Sequence, residues 1–241
     1  MDIIEVRDLC KSYKNVMALN GLSFTAKEGE LLALLGVNGS GKSTTVKILT
    51  GLIKKDSGTV KMFGKDIADL SDEEIDAVTV SPQESAVCGN LTVRENLEFF
   101  YDIYVRDLAN KARKVDEFIQ RFKMEDFAAR KASKLSGGQK RKLSVAITLI
   151  TDPKIVFLDE PTLGLDILTR RELWKILEEL KGKTTIVLTT HYLEEAERLC
   201  DSVAIVAKGK LIVQDTVENV KKMYGATFED AFIKAVEEVG L

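Results

Sequence analysis

Three short stretches of this 241-residue chain carry residue types suited to a polyphosphate. The first is Gly36-Val37-Asn38-Gly39-Ser40-Gly41-Lys42-Ser43-Thr44, which fits G-x-x-x-x-G-K-[ST]. An apolar run, Leu31 to Leu35, precedes it, and a helical pattern follows. Glycines let such a loop curl until several backbone N–H groups aim at one point, and the helix opening near Lys42 adds its positive end. Asn38, Gly39, Ser40 and Gly41 would form the cradle. Lys42 would neutralise the outer phosphates, Ser43 would ligate Mg2+, and Thr44 would reach the innermost phosphate. The second stretch is Asp159-Glu160, which ends the apolar run Ile155 to Leu158. In an open α/β sheet, ligands bind outside the carboxyl ends of the strands. There Asp159 suits Mg2+ held through water. Glu160 suits a general base for an attacking water, help worth roughly 10²–10⁴ in rate. The third is Ser136-Gly137-Gly138-Gln139, small residues ahead of an apolar helical pattern, and so a second helix-terminal anion site. One chain with one phosphate loop does not need two.

The elements needed to hold these residues are legible as an α/β pattern. LLALL at 31–35, IVFL at 155–158 and TIVLTT at 185–190 are continuous apolar runs, as in parallel strands covered on both faces. Ile4, Val6, Leu22 and Phe24 fit short alternating strands, and TVKMFGKDI at 59–67 reads as strand and turn, so an antiparallel layer is expected beside the core. From about 91 to 150 the apolar spacing is helical. The expected fold is a P-loop NTPase core with a mainly parallel sheet, an antiparallel β layer and an inserted α-helical subdomain. The expected division is 1–84 with 154–225 as a discontinuous core, 85–153 as the helical subdomain, and 226–241 as a C-terminal helix. In that helix Phe228, Phe232, Ala235, Val236 and Val239 share one face behind a Thr227–Asp230 cap, which reads as a packing stripe.

Composition narrows the class. The net charge of -3 gives no bulk attraction to nucleic acid or an anionic bilayer. Arg130, Lys131, Lys134, Lys140, Arg141 and Lys142 cluster around Ser136, but no aromatic platform accompanies them, so they read as a solvated basic face. The three cysteines, Cys10, Cys88 and Cys200, have no zinc or disulfide spacing and suit a reducing compartment. No apolar run approaches the roughly 18 residues of a membrane span.

Leu135-Ser136-Gly137-Gly138-Gln139 decides a family. Tyr13, the loop 36–44, Gln83 in SPQES, LSGGQ, FLDEPT at 157–162, Gly164-Leu165-Asp166 and His191 follow one another in order. In this the chain resembles the nucleotide-binding domain of ABC transporters over nearly its whole length. Departures are minor: Lys55 stands where proline is frequent, and Val37 and Ser40 replace the commoner proline and alanine of the loop. The resemblance implies a head-to-tail dimer, of like or unlike chains. In it Ser136, Gly137, Gly138 and Gln139 of one subunit cover ATP held by the other's phosphate loop. It implies that Tyr13 stacks on adenine, although a strand aromatic is the plain alternative. It further implies that Gln83 touches the metal or water and couples to a membrane partner, that His191 contacts the γ-phosphate, and that Asp166 crosses the interface. Asp166 also reads as the N-cap of the following helix.

What the resemblance implies about function is an ATPase that uses ATP and Mg2+ and drives a separate transmembrane permease subunit. It would sit in the cytoplasm, peripheral on the inner face of the cell membrane, with its permease groove around Ser85 to Phe100. The competing class is a non-transport ABC ATPase acting on nucleic acid, ribosomes or cofactor assembly. No inserted coiled coil, second cassette or zinc cysteines point that way, and no nucleic-acid partner is expected. SPQESAVCGNLTVRENLEFF, THYLEEAERLCDSVAIV and the tail TFEDAFIKAVEE resemble exporter subunits of the drug-resistance and sodium-extrusion type. Many importer subunits carry a further C-terminal β domain, for which this chain ends too soon.

Overall fold

The computed structural model describes residues 1–105 and 108–238, without the side chain of Leu108. The chain opens with two paired strands, β1 (Asp2–Tyr13) and β2 (Val16–Lys27). Next come β3 (Leu31–Leu35), α1 (Lys42–Leu49), β4 (Ser57–Met62), β5 (Lys65–Asp66), α2 (Asp72–Asp76) and β6 (Val78–Ser81). A helical block follows, with α3 (Val93–Tyr104), α4 (Lys111–Arg121) and α5 (Gly137–Leu149). The chain then alternates through β7 (Ile155–Asp159), α6 (Ile167–Glu178), β8 (Thr185–Thr190), α7 (Leu193–Leu199) and β9 (Ser202–Ala207). It ends with β10 (Lys210–Asp215), α8 (Val217–Tyr224) and α9 (Phe228–Glu237).

Among the described residues the strands form two sheets, β2-β1-β4-β5 and β10-β9-β3-β8-β7-β6. The first is antiparallel; the second is parallel except for β10. Its central strands β3, β7 and β8 are buried throughout because both faces are covered. Leu32 and Leu34 pack toward the antiparallel layer with Ile4, Leu22, Val60 and Val46. Ala33 and Leu35 pack on the other side with Val203, Ile205, Phe228 and Ala235. The outer strands depart from expectation, since β1 and β2 are 12 residues each rather than short. Register shifts along β1 absorb the extra length, as bulges do by bending a strand without ending it.

A third apolar cluster holds the helical block against the core and runs across the expected boundaries at 84/85 and 153/154. Leu97, Phe118 and Leu143 share it with Val156, Trp174 and Leu188. The stripe of α9 packs inward: Phe228, Ala235 and Val236 are buried and Phe232 is partly so. Thr227 accepts from the Asp230 N–H at 3.1 Å and donates to its carboxylate at 2.7 Å. Val239, the last member of the expected stripe, lies outside the described residues. No helix among the described residues is long and apolar enough to cross a membrane.

The basic face divides. Arg130, Lys131 and Lys134 are exposed, as expected, but Arg141 is only 4% exposed and Lys142 pairs with Glu172 at 2.9 Å. At position 141 the side chain falls on the apolar face of α5, which packs on β6 and β7.

One buried acid is built into this core. The Glu195 carboxylate on α7 accepts from Trp174 Nε1 at 3.1 Å. Burial pushes its pKa up, against the hydroxyls of Thr190, the Trp174 N–H, the hydroxyl of Thr162 and the charge of Arg170. Between the ordinary carboxylate value and the raised one, the folded chain binds more protons than the unfolded chain. Stability therefore falls as pH rises through that window. Glu195→Gln removes the buried charge and keeps an acceptor for Trp174. It is expected to leave Tm at pH 8 at or above wild type and to flatten the fall in Tm between pH 5 and pH 8. A Tm lowered equally at both values would contradict this.

Candidate functional site

The carboxyl ends of β3, β7 and β8 lie side by side, since Leu35 pairs with Thr190 and Asp159 with Thr189. The functional stretches follow from those strand ends. Loop 36–41 turns between β3 and α1, and its glycines are required by two separate constraints. A Cβ on Gly36 would stand 2.3 Å from the Val206 carbonyl oxygen. Gly41 has φ 110°, and a Cβ there would meet the Ala18 carbonyl oxygen at 2.7 Å. The Lys42 ammonium is drawn inside the curl, donating to the carbonyls of Gly36 at 2.7 Å and Val37 at 3.2 Å. Burial lowers its pKa, while Glu160 and Asp159 pull it back up.

Asp159 is only 5% exposed. Its Oδ1 accepts from Ser43 Oγ at 3.2 Å and also from Thr189 Oγ1. The three oxygens make a compact hard-oxygen set at the N-terminus of α1, which is the donor chemistry that Mg2+ takes. Glu160 follows in the left-handed region at φ 51°. Its N–H is held by Thr189, through the carbonyl and the hydroxyl, at 3.1 Å each. That kink sends the Glu160 side chain away from Asp159, and its Oε2 sits 2.8 Å from His191 Nδ1. A carboxylate oriented by a second group in this way suits general-base work.

Around these groups opens a cleft of about 660 Å³. Asn38, Gly39, Gly41, Lys42, Ser43, Thr44, Gln83, Glu160, His191 and Tyr13 all line it. Tyr13 stands at the rim, 44% exposed, with Lys11 Nζ 5.8 Å from its ring centroid. Ser40 does not line the cleft: its hydroxyl is buried without a partner and its N–H bonds to the Val37 carbonyl at 3.1 Å. The cleft is also lined by Val16, Met17 and Ala18 at the start of β2. Sequence reasoning missed these, and the only available signal was their place opposite Tyr13 across the turn 13–16. It also missed Thr189, which reads simply as a strand residue; its register opposite Asp159 is what gives it away.

Ser136, Gly137, Gly138 and Gln139 do not line this cleft. They begin α5, where Ser136 Oγ accepts from the Gln139 N–H at 3.2 Å and Gln139 Oε1 accepts from the Ser136 N–H at 3.0 Å. This reciprocal cap leaves the N–H groups of Gly137 and Gly138 at an exposed helix N-terminus. Asp166 also lies apart. It is the N-cap of α6, accepting from Leu168 N–H at 2.9 Å and Thr169 N–H at 3.0 Å; the Thr169 hydroxyl, donating at 2.6 Å, and then the Thr169 N–H hold its pKa down. Beside it Ile167 and Leu168 are 66% and 74% exposed.

Residues 19–163 match the family described as ABC transporter. A probable multidrug ABC transporter ATP-binding protein of Escherichia coli (strain K12) is 35% identical over 98% of this chain. The chain spans only 42% of that relative's length. The Nod factor export ATP-binding protein I of Burkholderia orbicola (strain AU 1054) is 40% identical over 88% of this chain and 70% of its own. Among solved structures, an ATP-binding subunit of an ABC transporter superposes with TM-score 0.87 at 29% identity, covering 97% of this chain and 99% of its own. A dimeric ATP-binding cassette in a post-hydrolysis state with ADP and Pi superposes with TM-score 0.80 at 26% identity, covering 88% of this chain and 98% of its own.

The two loop glycines with positive φ separate by their surroundings. Gly39, at φ 81°, has open space where a Cβ would stand, whereas Gly41 does not. Gly39→Ala is expected to cost about 1 kcal/mol of folding stability, from the left-handed conformation alone. Gly41→Ala adds backbone overlap and is expected to cost roughly 2–4 kcal/mol. Denaturant melts of the two variants check this ordering, and equal losses would contradict it.

Proposed function

The chain belongs to the ABC transporter family and carries its ATPase cassette, and from that premise we propose that two cassettes close around two ATP molecules and power a separate membrane-spanning permease. The observation that carries the reading is the separation of two anion sites within one chain. The phosphate loop opens into the cleft with Gln83, Glu160 and His191, while the α5 N-terminus at exposed Ser136 and Gly137 lies elsewhere. A two-fold, head-to-tail arrangement would bring each exposed α5 terminus over the other chain's cleft and complete both sites at once. The neighbouring dimeric cassette with ADP and Pi supports it, as does the exposed apolar pair Ile167 and Leu168 next to Asp166.

Each residue then has a task. Backbone N–H groups of Asn38, Gly39 and Gly41 to Thr44 and the positive end of α1 hold the phosphates. Lys42 exchanges its loop carbonyls for phosphate oxygens, whose charge offsets the burial that disfavours its ammonium. Ser43, Asp159 and Gln83 would hold Mg2+, which when bound neutralises charge that develops between the outer phosphates. Glu160 orients the attacking water and takes its proton, with His191 fixing the carboxylate. Tyr13 offers its exposed ring to adenine.

A permease groove is supported by the surface beyond Gln83. A pocket of about 170 Å³ lies between β6, α3 and α5, lined by Val80, Ala86, Phe100, Tyr104 and Ile147. Phe99 and Ile103 are exposed nearby, at 45% and 54%. Asn96, fully buried, braces the loop between Gln83 and α3 by bonds to Cys88, Leu91 and Thr92. Export is favoured by the names of the multidrug and Nod factor relatives. Such a subunit would work at the cytoplasmic face of the membrane.

Replacing Glu160 by Gln should preserve nucleotide binding and stop hydrolysis. On a sizing column with MgATP, Glu160→Gln is expected to run as a dimer while wild type stays largely monomeric. Turnover should fall by roughly 10²–10⁴-fold. A variant that hydrolyses ATP at the wild-type rate would remove Glu160 from its role.

A further inference from the structure

Arg141 lies five residues into the helix that Ser136 caps, yet nothing in the functional reading uses it. Its guanidinium is spent entirely on backbone. Nε donates to the Pro161 carbonyl at 3.0 Å, and one terminal nitrogen donates to the Asp159 carbonyl at 2.5 Å. The other donates to the carbonyls of Pro82 and, at 3.2 Å, Gln83. One side chain therefore binds α5 to both segments that line the cleft: the loop that presents Gln83, and the strand end that presents Asp159 and Glu160. Only the arginine fork has the donors for this, since lysine has three on a single atom. Burial pushes the guanidinium pKa down to about 10, against the pull of Asp159, Glu160 and Glu195, so it stays charged at neutral pH.

We infer that Arg141 is a positioning residue that makes the placement of Gln83 and Glu160 depend on the pose of α5, and so on whether the α5 N-terminus is engaged by a nucleotide on a second chain. This rests on the two-chain reading above. A shift of α5 cannot occur without dragging the Arg141 fan, and the fan ends on the carbonyls flanking the general base. Each chain's hydrolytic groups thereby sense the other chain's ATP. Misplacing a reacting group by about 1 Å can cost on the order of 10²-fold in rate.

The test compares wild type with Arg141→Lys, which keeps the charge and loses the fork, and with Arg141→Gln as a second variant should the first misfold. Three quantities are read: the circular dichroism melt, binding of trinitrophenyl-ATP, and ATP turnover against ATP concentration. A folded variant is expected to bind the probe within about twofold of wild type, while kcat falls roughly 10–100-fold. The Hill coefficient is expected to fall from above 1 toward 1. A folded variant with wild-type kcat and Hill coefficient overturns the inference. So does a loss of turnover matched by an equal loss of bound probe with the Hill coefficient retained, which marks a merely structural role. Failure of both variants to fold assigns Arg141 to stability and overturns it as well. Wild-type turnover with a Hill coefficient of 1 and no dependence on protein concentration would instead defeat the two-chain reading itself, before any variant is made.

Discussion

A triphosphate is too dense a charge to be held by one or two side chains; it needs many fixed donors converging on it in a site shielded from water. That constraint shapes this chain. Its strongest donors are backbone N–H groups at helix starts, and the fold offers two sets, at α1 and at α5. Helix starts cannot be bent toward each other at will, because each is fixed by the strand or core behind it. α1 is fixed by β3, whose five residues are all buried. α5 is fixed by an apolar side that runs from Leu143 to Ile150 into the cluster with Val156 and Trp174. In the proposed reading, each rigid half-cradle serves a nucleotide whose other half-cradle a second chain supplies.

The parallel sheet does the remaining positioning by register. Because Leu35, Asp159 and Thr190 end neighbouring strands, the phosphate loop, the Asp159 carboxylate and His191 arrive at one edge without any long side chain reaching for them. Thr189 then serves two neighbours, with its hydroxyl on Asp159 and its backbone and hydroxyl on the Glu160 N–H. The left-handed turn at Glu160 is the local strain that separates the two carboxylates, one toward Ser43 and one toward His191. Adjacent residues in an ordinary strand would also alternate faces; here the turn places Glu160 beyond the end of β7, where it lines the cleft.

Much of this was legible because it rests on local chemistry. A glycine loop between an apolar run and a helix, an Asp-Glu pair at a strand end, and a Ser-Gly-Gly helix start each carry their mechanism in a few residues. The alternation of apolar runs was enough for the parallel core and the helical block. What was not legible depends on register or on three-dimensional neighbours. Thr189 has no mark in sequence beyond being a strand threonine. Val16, Met17 and Ala18 line the cleft only because the β1–β2 turn folds them opposite the phosphate loop. Arg141 sits in a run of basic residues whose other members are mostly exposed; only helix phase, which turns it toward β6 and β7, distinguishes it. The motif puts Ser40 among the ligands, but its hydroxyl is buried against Gly36 and does not line the cleft. The lengths of β1 and β2 depend on bulges, which alternation alone does not reveal.

The proposed sharing of a site between two chains is open to a direct test by mixing damaged chains. Lys42→Ala disables a chain's own phosphate loop, and Ser136→Arg blocks the terminus it lends to a second chain. Each variant alone should be nearly inactive. In a mixed pair, the phosphate loop of the Ser136→Arg chain meets the intact Ser136 of the Lys42→Ala chain, so one complete site re-forms. ATP turnover of an equimolar mixture is expected to rise well above the sum of the two separate preparations and to grow with total protein concentration. A mixture no more active than its components, or Ser136→Arg alone turning over at the wild-type rate, would show that one chain suffices for its own nucleotide.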